Sequence, residues 1–428
     1  MIRFAYSLLF YLVQPLVWFR LVWRARRQPD YLRHLGERYG FFTGRPPEPL
    51  FWLHVVSVGE TRAAEPLIEA LLAEYPKHTL LLTHMTPTGR AVGAELIEKY
   101  GNRLTQAYLP YDLPDACGRF LDHFRPRFGL LMETELWPNL IAAARTRGLP
   151  VLLVNARLSA RSWRGYRRIL PLIRPAVGGL AAVVAQTPAD AARLESLGAR
   201  EVVVAGNIKF DVTPAPEKRQ LGRDWRRALG DRPVWLVAST REGEEALILD
   251  AFARSDFPSD ALLLLVPRHP QRFDEVAAMI ERRGWSFRRR GSGLPTAETR
   301  VWLGDSLGEM PAYFTLADLA LIGGTLLPFG GQNLIEAAAC ACPVLLGPHT
   351  YNFAQATEDA LAHGAARRIA DAGDAVREAR ALLADRPALA AMREAAVAFS
   401  EAHRGATART IAVLKLQGAG ESFPCRGV

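Results

Sequence analysis

The sequence predicts two α/β domains, each built on a mostly parallel sheet with helices on both faces. Three observations predict it. The chain has 428 residues, more than one hydrophobic core usually supports. Short apolar runs alternate with helical patterns from Leu50 to Ala205, and again from Val234 to Leu346. A turn- and proline-rich break, Phe210 to Pro216, separates the two series. A hydrophobic content of 49% excludes a mainly disordered chain.

The first stretch stands apart from this pattern. Phe4 to Phe19 carries no charge, Arg3 and Arg20 bracket it, and Arg24, Arg26 and Arg27 follow. Sixteen helical residues span roughly 24 Å, short of a hydrocarbon core of roughly 30 Å. Pro15 bends or divides such a helix. No small-residue cleavage site follows, which argues against a signal peptide. Trp18 and Trp23 suit an interface, so residues 1–30 read as a shallow anchor with arginines toward anionic head groups. A full span is the competing reading.

The first domain, 31–205, follows. Strands are expected at Phe51–Val56, Thr79–Thr83, Tyr108–Pro110, Phe128–Met132, Val151–Val154, Ala181–Ala185 and Glu201–Ala205. Helices are expected at Ala63–Ala73 and Gly89–Lys99. The second domain, 206–428, restarts with strands at Val234–Ala238, Ala261–Val266, Val301–Leu303, Leu319–Ile322 and Pro343–Leu346. Helices are expected at Glu244–Phe252, Phe273–Arg283, Leu382–Phe399 and Ala406–Leu416. Whether the last helix packs back on the first domain is left open. Ligands are expected outside the carboxyl ends of the strands, in a cleft between the domains.

A net charge of +9 implies an anionic partner. The basic residues are not gathered in one tail, and no zinc-finger or aromatic RNA-binding signature occurs, so nucleic acid ranks below a nucleotide-linked substrate or an acidic membrane. Cys340 and Cys342 lie in an apolar helix-to-strand passage without nearby His or Cys, and read as packing residues.

The candidate sites lie at strand ends. Ser57-Val-Gly-Glu60 follows the first strand, and Glu60 is either a helix-start acid or a general base. Glu133, Glu135 and Trp137 crowd the end of another strand, where one acid could orient an arginine or a hydroxyl. Arg157, Arg161, Arg164, Arg167 and Arg168 form a solvated helix face or a phosphate-binding one. Lys209 at the hinge either belongs to an Asn/Asp-held connection or meets an anion. Ser239, Thr240 and Glu244 can cap the next helix. Arg268 offers a fork for phosphate or carboxylate, and His269 beside it is positional or catalytic. Ser306 and Gly308 can present hydroxyl and N–H groups to a phosphate, and Ser306 with Glu309 also fits a capping box.

The stretch Gly323 to His349 reads GGTLLPFGGQNLIEAAACACPVLLGPH. Its glycine pairs let backbone approach a ligand, and the helix start that follows suits an anion. Asn333 and Glu336 share a helical face there, placed for phosphate and sugar hydroxyls. No GxxxxGK[ST] motif and no dinucleotide fingerprint after the first strand is present.

Taken in order, these segments resemble the 3-deoxy-D-manno-oct-2-ulosonic acid (Kdo) transferases of bacterial lipid A synthesis. The similarity covers almost the whole chain: ERYG at 37–40, SVGE at 57–60, ETELWPN at 133–139, NARLS at 155–159, GNIKFD at 206–211, STREGEE at 239–245, PRHP at 267–270, DSLGEM at 305–310, FGGQNLIEAA at 329–338 and GPHTYNF at 347–353. The resemblance implies a GT-B glycosyltransferase: two Rossmann-like domains, inversion of the anomeric centre, CMP-Kdo as donor and lipid IVA as acceptor, and no cofactor or metal in transfer. It implies work at the cytoplasmic face of the bacterial inner membrane, among anionic lipids. Glu60 matches the family's base and Arg268 its donor-binding arginine. Ser306, Leu307, Gly308 and Glu309 match the nucleotide loop, and Gly331, Asn333 and Glu336 the phosphate and ribose site. His269, Arg241 and Lys209 complete the expected donor set. The chain departs from the family at Gln332 and Arg241, where histidine is common, and at Ala337, where proline is common. Altered donor contacts are expected at the two lost imidazoles. Alternatives are another inverting GT-B enzyme using a nucleotide-linked sugar and a membrane lipid, or a non-enzymatic membrane-associated binding protein. The number of Kdo residues added and the oligomeric state are not readable from these residues.

Overall fold

The computed structural model describes residues 1–44 and 47–417. The chain forms two compact units, Met1–Val212 together with the residues from Arg404 onward, and Thr213–His403.

The first unit holds a seven-stranded sheet: β1 (Leu50–His54), β2 (Thr79–His84), β3 (Leu104–Tyr108), β4 (Gly129–Met132), β5 (Val151–Ala156), β6 (Ala182–Ala185) and β7 (Val202–Val204). Every pairing is parallel, in the order β3-β2-β1-β4-β5-β6-β7. Side chains alternate across the sheet, so β1 feeds two cores. Phe51 and Leu53 pack with Leu67 and Leu71, and with Leu414 from the last helix, Ala406–Leu416. Leu50 and Trp52 pack on the other face with Phe120 and Ile141. Burial on both faces is why these strands read as continuous apolar runs.

The second unit repeats the plan with β8 (Val234–Thr240), β9 (Leu262–Pro267), β10 (Phe287–Arg289), β11 (Val301–Leu303), β12 (Leu319–Ile322), β13 (Val344–Leu346) and β14 (Ala366–Arg368). Its strands are also all parallel, in the order β10-β11-β9-β8-β12-β13-β14. One face buries Trp235, Val237, Leu263 and Leu265 with Ile248 and Phe252. The other carries an aromatic knot, with Trp225 5.3 Å from both Trp302 and Tyr313.

Several expected elements are corrected. β3 spans Leu104–Tyr108, so the run expected at Tyr108–Pro110 overlaps it only at Tyr108. β10 and β14, both edge strands, have no apolar run and were not expected. The helix expected at Ala63–Ala73 is Glu65–Glu74, with a proline in its first turn, and a separate short helix, Val58–Ala63, precedes it. The helix expected at Leu382–Phe399 is two, Ala372–Ala384 and Arg386–Ala402, because Asp385 accepts from the Ala388 N–H at 3.0 Å and starts a new helix.

At the front, Pro15 does divide the helix: Ile2–Leu12 and Gln14–Ala25 meet at 45°. No single helix among the described residues is long and apolar enough to cross a membrane, though the bent pair passes that test by length and composition. The pair is two-faced. Toward the unit, Tyr6 donates to Asp112 at 3.0 Å, Ser7 to Asn139 at 3.1 Å, and Tyr39 to Gln14 at 2.9 Å. Away from it, Phe4, Leu8, Leu9, Leu16, Phe19 and Trp23 are exposed.

Candidate active site

In each parallel sheet the loops at strand carboxyl ends emerge along one edge, and ligands collect where strand order reverses. In the first unit that point lies between β1 and β4. Glu60 follows β1 and Glu133 follows β4.

Glu60 sits in the short helix Val58–Ala63 and folds back on the strand end. One carboxylate oxygen accepts from the Val56 N–H at 2.9 Å and the other from the Ser57 hydroxyl at 3.2 Å. It is half-buried, and its pKa is pushed up to about 7. Burial is the main cause, with the Val56 N–H opposing it and the charges of Glu133 and Glu135 adding to it. Glu133 adopts a left-handed backbone, φ 62°, and accepts from Lys209 at 3.0 Å. Lys209 is therefore engaged with a carboxylate of its own unit. Asn155, the first residue of the NARLS segment, is also left-handed, φ 49°, and its buried carboxamide accepts from the Ile208 N–H at 3.1 Å.

Glu135 accepts from the Trp137 indole at 2.8 Å, and burial raises its pKa. His54, missed in the sequence because it reads as part of an apolar strand, lies 4.0 Å from Glu135. Burial holds His54 down to about 3, with nearby His84 adding to the effect. The contact is therefore between a neutral imidazole and a carboxylate, not an ion pair.

Arg161, Arg164, Arg167 and Arg168 lie exposed on helix Ala160–Arg168, which buries no residue, while Arg157 precedes the helix and is half-buried.

In the second unit strand order reverses between β8 and β12. After β8 the expected caps do not form. The helix Glu244–Ala253 starts at Gly243 with no side-chain cap; Ser239 is itself left-handed, φ 57°, and the Thr240 hydroxyl donates to Glu245 at 2.7 Å. Buried Glu244 instead accepts from the backbone N–H groups of Arg241, Gly324 and Leu326 at 2.8, 2.6 and 3.0 Å. One carboxylate thus ties the β8 loop to the glycine-rich β12 loop.

The glycines serve the same weave. A Cβ on Gly323 would lie 2.4 Å from the Ser239 carbonyl oxygen, and one on Gly330 2.4 Å from the Tyr351 ring. The expected approach of backbone to a ligand is corrected at these two positions: what approaches is the protein itself. Gly331 donates to Gly324 at 2.7 Å, and Asn352 donates to Phe329 at 3.0 Å. Asn333 is the cap of helix Leu334–Ala339, its carboxamide oxygen accepting from Ile335 at 3.1 Å, with Glu336 in the first turn.

Beside this weave, Arg241, Arg268 and Arg272 all raise the potential at His269, whose pKa is lowered by burial first and then by those three charges. Arg241 stacks over Phe329 at 4.6 Å, and Arg268 is exposed with no side-chain partner among the described residues. Arg272, which the sequence reading missed, pairs with buried Glu245 at 2.6 Å. Arg268, with Arg241 stacked on the Phe329 ring beside a neutral imidazole, suits an anionic ligand.

After β11, the Ser306 hydroxyl donates to Glu309 at 2.6 Å and shares a 2.7 Å hydrogen bond with Tyr313. The expected serine cap is absent, since the helix Met310–Leu316 starts at Glu309. Arg290 grips Glu309 at 3.1 and 3.2 Å and lies over Trp225 at 4.8 Å. Its place in an Arg288–Arg290 run was the available signal. Leu307 and Gly308 are exposed, with Gly308 left-handed, φ 72°. Among the described residues no group of three or more His, Cys, Asp or Glu could hold a metal ion.

Comparison with known proteins agrees with this arrangement. Residues 33–212 match the model of the 3-deoxy-D-manno-octulosonic-acid transferase (kdotransferase) family. The chain is 47% identical to the 3-deoxy-D-manno-octulosonic acid transferase of Bordetella pertussis, over 96% of this chain and 99% of that one. It is 35% identical to that of Haemophilus influenzae, over 96% and 98%. In fold it is similar to a glycosyltransferase from Rickettsia africae, with a TM-score of 0.58 and 13% identity over 87% of this chain and 99% of that one. A second solved structure, an Anabaena protein in complex with UDP, gives a TM-score of 0.57 at 15% identity, over 86% and 99%. Two parallel seven-stranded sheets, this fold likeness and near full-length identity lead to one conclusion: the chain belongs to the 3-deoxy-D-manno-octulosonic acid (Kdo) transferase family of glycosyltransferases.

Proposed function

We propose that the chain moves Kdo from CMP-Kdo to a hydroxyl of lipid IVA, releasing CMP and inverting the anomeric carbon. The observation that carries this reading is Glu60, a half-buried carboxylate at a strand-order reversal with its pKa pushed up to about 7. A base poised near the working pH is what removal of an alcohol proton needs. The acceptor oxygen attacks C2 of Kdo while its proton passes to Glu60. The C2–O bond to phosphate breaks, and CMP leaves with that electron pair. Charge growing on the phosphate is met by fixed positive groups. Arg241 and Arg268 are the groups proposed for it, with the Kdo carboxylate as their second anion and the neutral His269 as a hydrogen-bond partner beside them. The exposed loop Ser306–Leu307–Gly308 and the helix start at Asn333 are proposed to take the nucleotide, with Glu309 and Glu336 orienting hydroxyls. Lys209 holds Glu133 and so acts on the base indirectly. No metal or cofactor enters this route.

The bent N-terminal pair is proposed to lie in the cytoplasmic face of a bacterial inner membrane. Its exposed aromatic and leucine face would enter the interface, with Arg20, Arg24, Arg26 and Arg27 against anionic head groups.

The test is CMP release from CMP-Kdo with lipid IVA. Glu60→Gln is expected to lower turnover by about 10²–10⁴-fold. Because the base must be unprotonated, the wild-type rate should rise with pH and level off above about 7. Wild-type turnover in Glu60→Gln would remove Glu60 from the role. Mass analysis of the product counts the Kdo residues added.

A further inference from the structure

We propose that a cavity in the first unit binds one acyl chain of an anionic membrane phospholipid, with the lipid phosphate held by Arg3 and Arg145. This rests on the reading that the N-terminal pair lies in a membrane interface. The cavity, about 310 Å³, opens where the first helix meets helices Pro138–Thr146 and Leu170–Val177. Pro138, Ile141, Ala142 and Leu172 supply apolar walls, and Arg3 and Arg145 stand with them in the lining.

Three features select the occupant. The first is charge. Both arginines are exposed, and among the described residues neither side chain has a hydrogen bond or ion pair, which leaves both guanidiniums of the lining open to an anion. The second is size. The volume is at the low end for small-molecule sites, which suits one acyl-chain segment rather than a whole lipid. The third is continuity with the membrane-facing surface. Exposed Met1, Ile2 and Phe4 flank Arg3. The helix is held in that position by the Ser7 hydroxyl, which is hydrogen-bonded both to the Arg3 carbonyl at 2.9 Å and to Asn139 at 3.1 Å. Arg3 of the lining is next to exposed Phe4, so a chain entering from that face brings its phosphate to the arginines.

The full chain in mild detergent is titrated by native mass spectrometry with dioctanoyl phosphatidylglycerol, dioctanoyl phosphatidylcholine and glycerol phosphate. One phosphatidylglycerol is expected to be retained. Phosphatidylcholine keeps the phosphate, but its choline cancels the net charge, so it should be retained more weakly; glycerol phosphate, which has no acyl chain, should not be retained. Ala142→Trp, which fills the cavity, should abolish retention. Arg145→Gln, on an exposed position that leaves folding intact, should weaken it about fivefold, the effect of one basic side chain near an anionic lipid. Equal retention of phosphatidylcholine, undiminished retention in both variants, or retention of glycerol phosphate alone overturns the proposal. Flotation with phosphatidylglycerol vesicles is scored separately. A wild-type chain that does not float defeats the membrane reading, whereas one that floats but retains no lipid in detergent defeats only the cavity proposal.

Discussion

At the scale of single residues, the reactivity of the first unit is set by how carboxylates are crowded. Glu60 has two hydrogen bonds that favour its ionised form, yet its pKa rises, because burial and the neighbouring charges of Glu133 and Glu135 outweigh them. Glu133→Gln removes one of those charges while keeping the side chain's shape. The acid limb of the pH–rate profile is therefore expected to move to lower pH, with the plateau rate changing less than the midpoint. A profile unmoved by Glu133→Gln would mean that the Glu133 charge does not contribute to raising Glu60. The position of Glu60 was legible, since SVGE after an apolar strand puts an acid at a helix start. Its pKa was not, because burial, the main cause, comes from the fold, and the charges that add to it arrive from the loop after the next strand in the sheet. The same limit hid Glu244. Read locally, it completes a cap; in the structure it faces across to Gly324 and Leu326, residues far along the chain.

At the scale of elements, the parallel sheets were legible wherever a strand is buried on both faces. Phe51–His54 and Leu262–Val266 are unbroken apolar runs because both faces meet helices. The edge strands escaped for the opposite reason. Phe287-Arg-Arg289 and Ala366-Arg-Arg368 are short and polar, as strands with one open edge are. The glycine-rich stretch was legible as special backbone but misread in its cause. Gly323 packs directly on the Ser239 carbonyl, so the two loops at the strand-order reversal of the second unit lie backbone to backbone. Gly323→Ala is expected to destabilise that unit by about 1–3 kcal/mol through overpacking, and to impair turnover by displacing the Arg241 and Gly331 loops. Thermal unfolding of the variant checks the first part. An alanine variant as stable as wild type, yet unable to turn over CMP-Kdo, would restore the ligand-approach reading of this glycine.

At the scale of the whole molecule, the chain leaves the first unit at Val212 and re-enters it at Arg404. One carboxylate closes that circuit: Asp211 accepts from the Gly405 and Thr407 N–H groups at 2.6 and 2.5 Å, at the start of the last helix. That helix then inserts Ala406, Ile411, Val413 and Leu414 into the core of β1 and β2, beside Leu67 and Leu71. The helix Ala406–Leu416 is thus a structural part of the unit that carries Glu60, although the second unit's sequence lies between them. Leu414 is fully buried, so Leu414→Ala should cost about 2–5 kcal/mol, from lost burial and the cavity left behind. Because the lost contacts are all in the first unit, calorimetry should show the loss in one transition only. Proteolysis during heating assigns that transition, since the first unit's β1–β2 segment should become cleavable earlier while the β8–β9 segment keeps its wild-type protection. If instead the β8–β9 segment opened first in Leu414→Ala, the last helix would be stabilising the second unit, and the assignment of Arg404 onward to the first would fail.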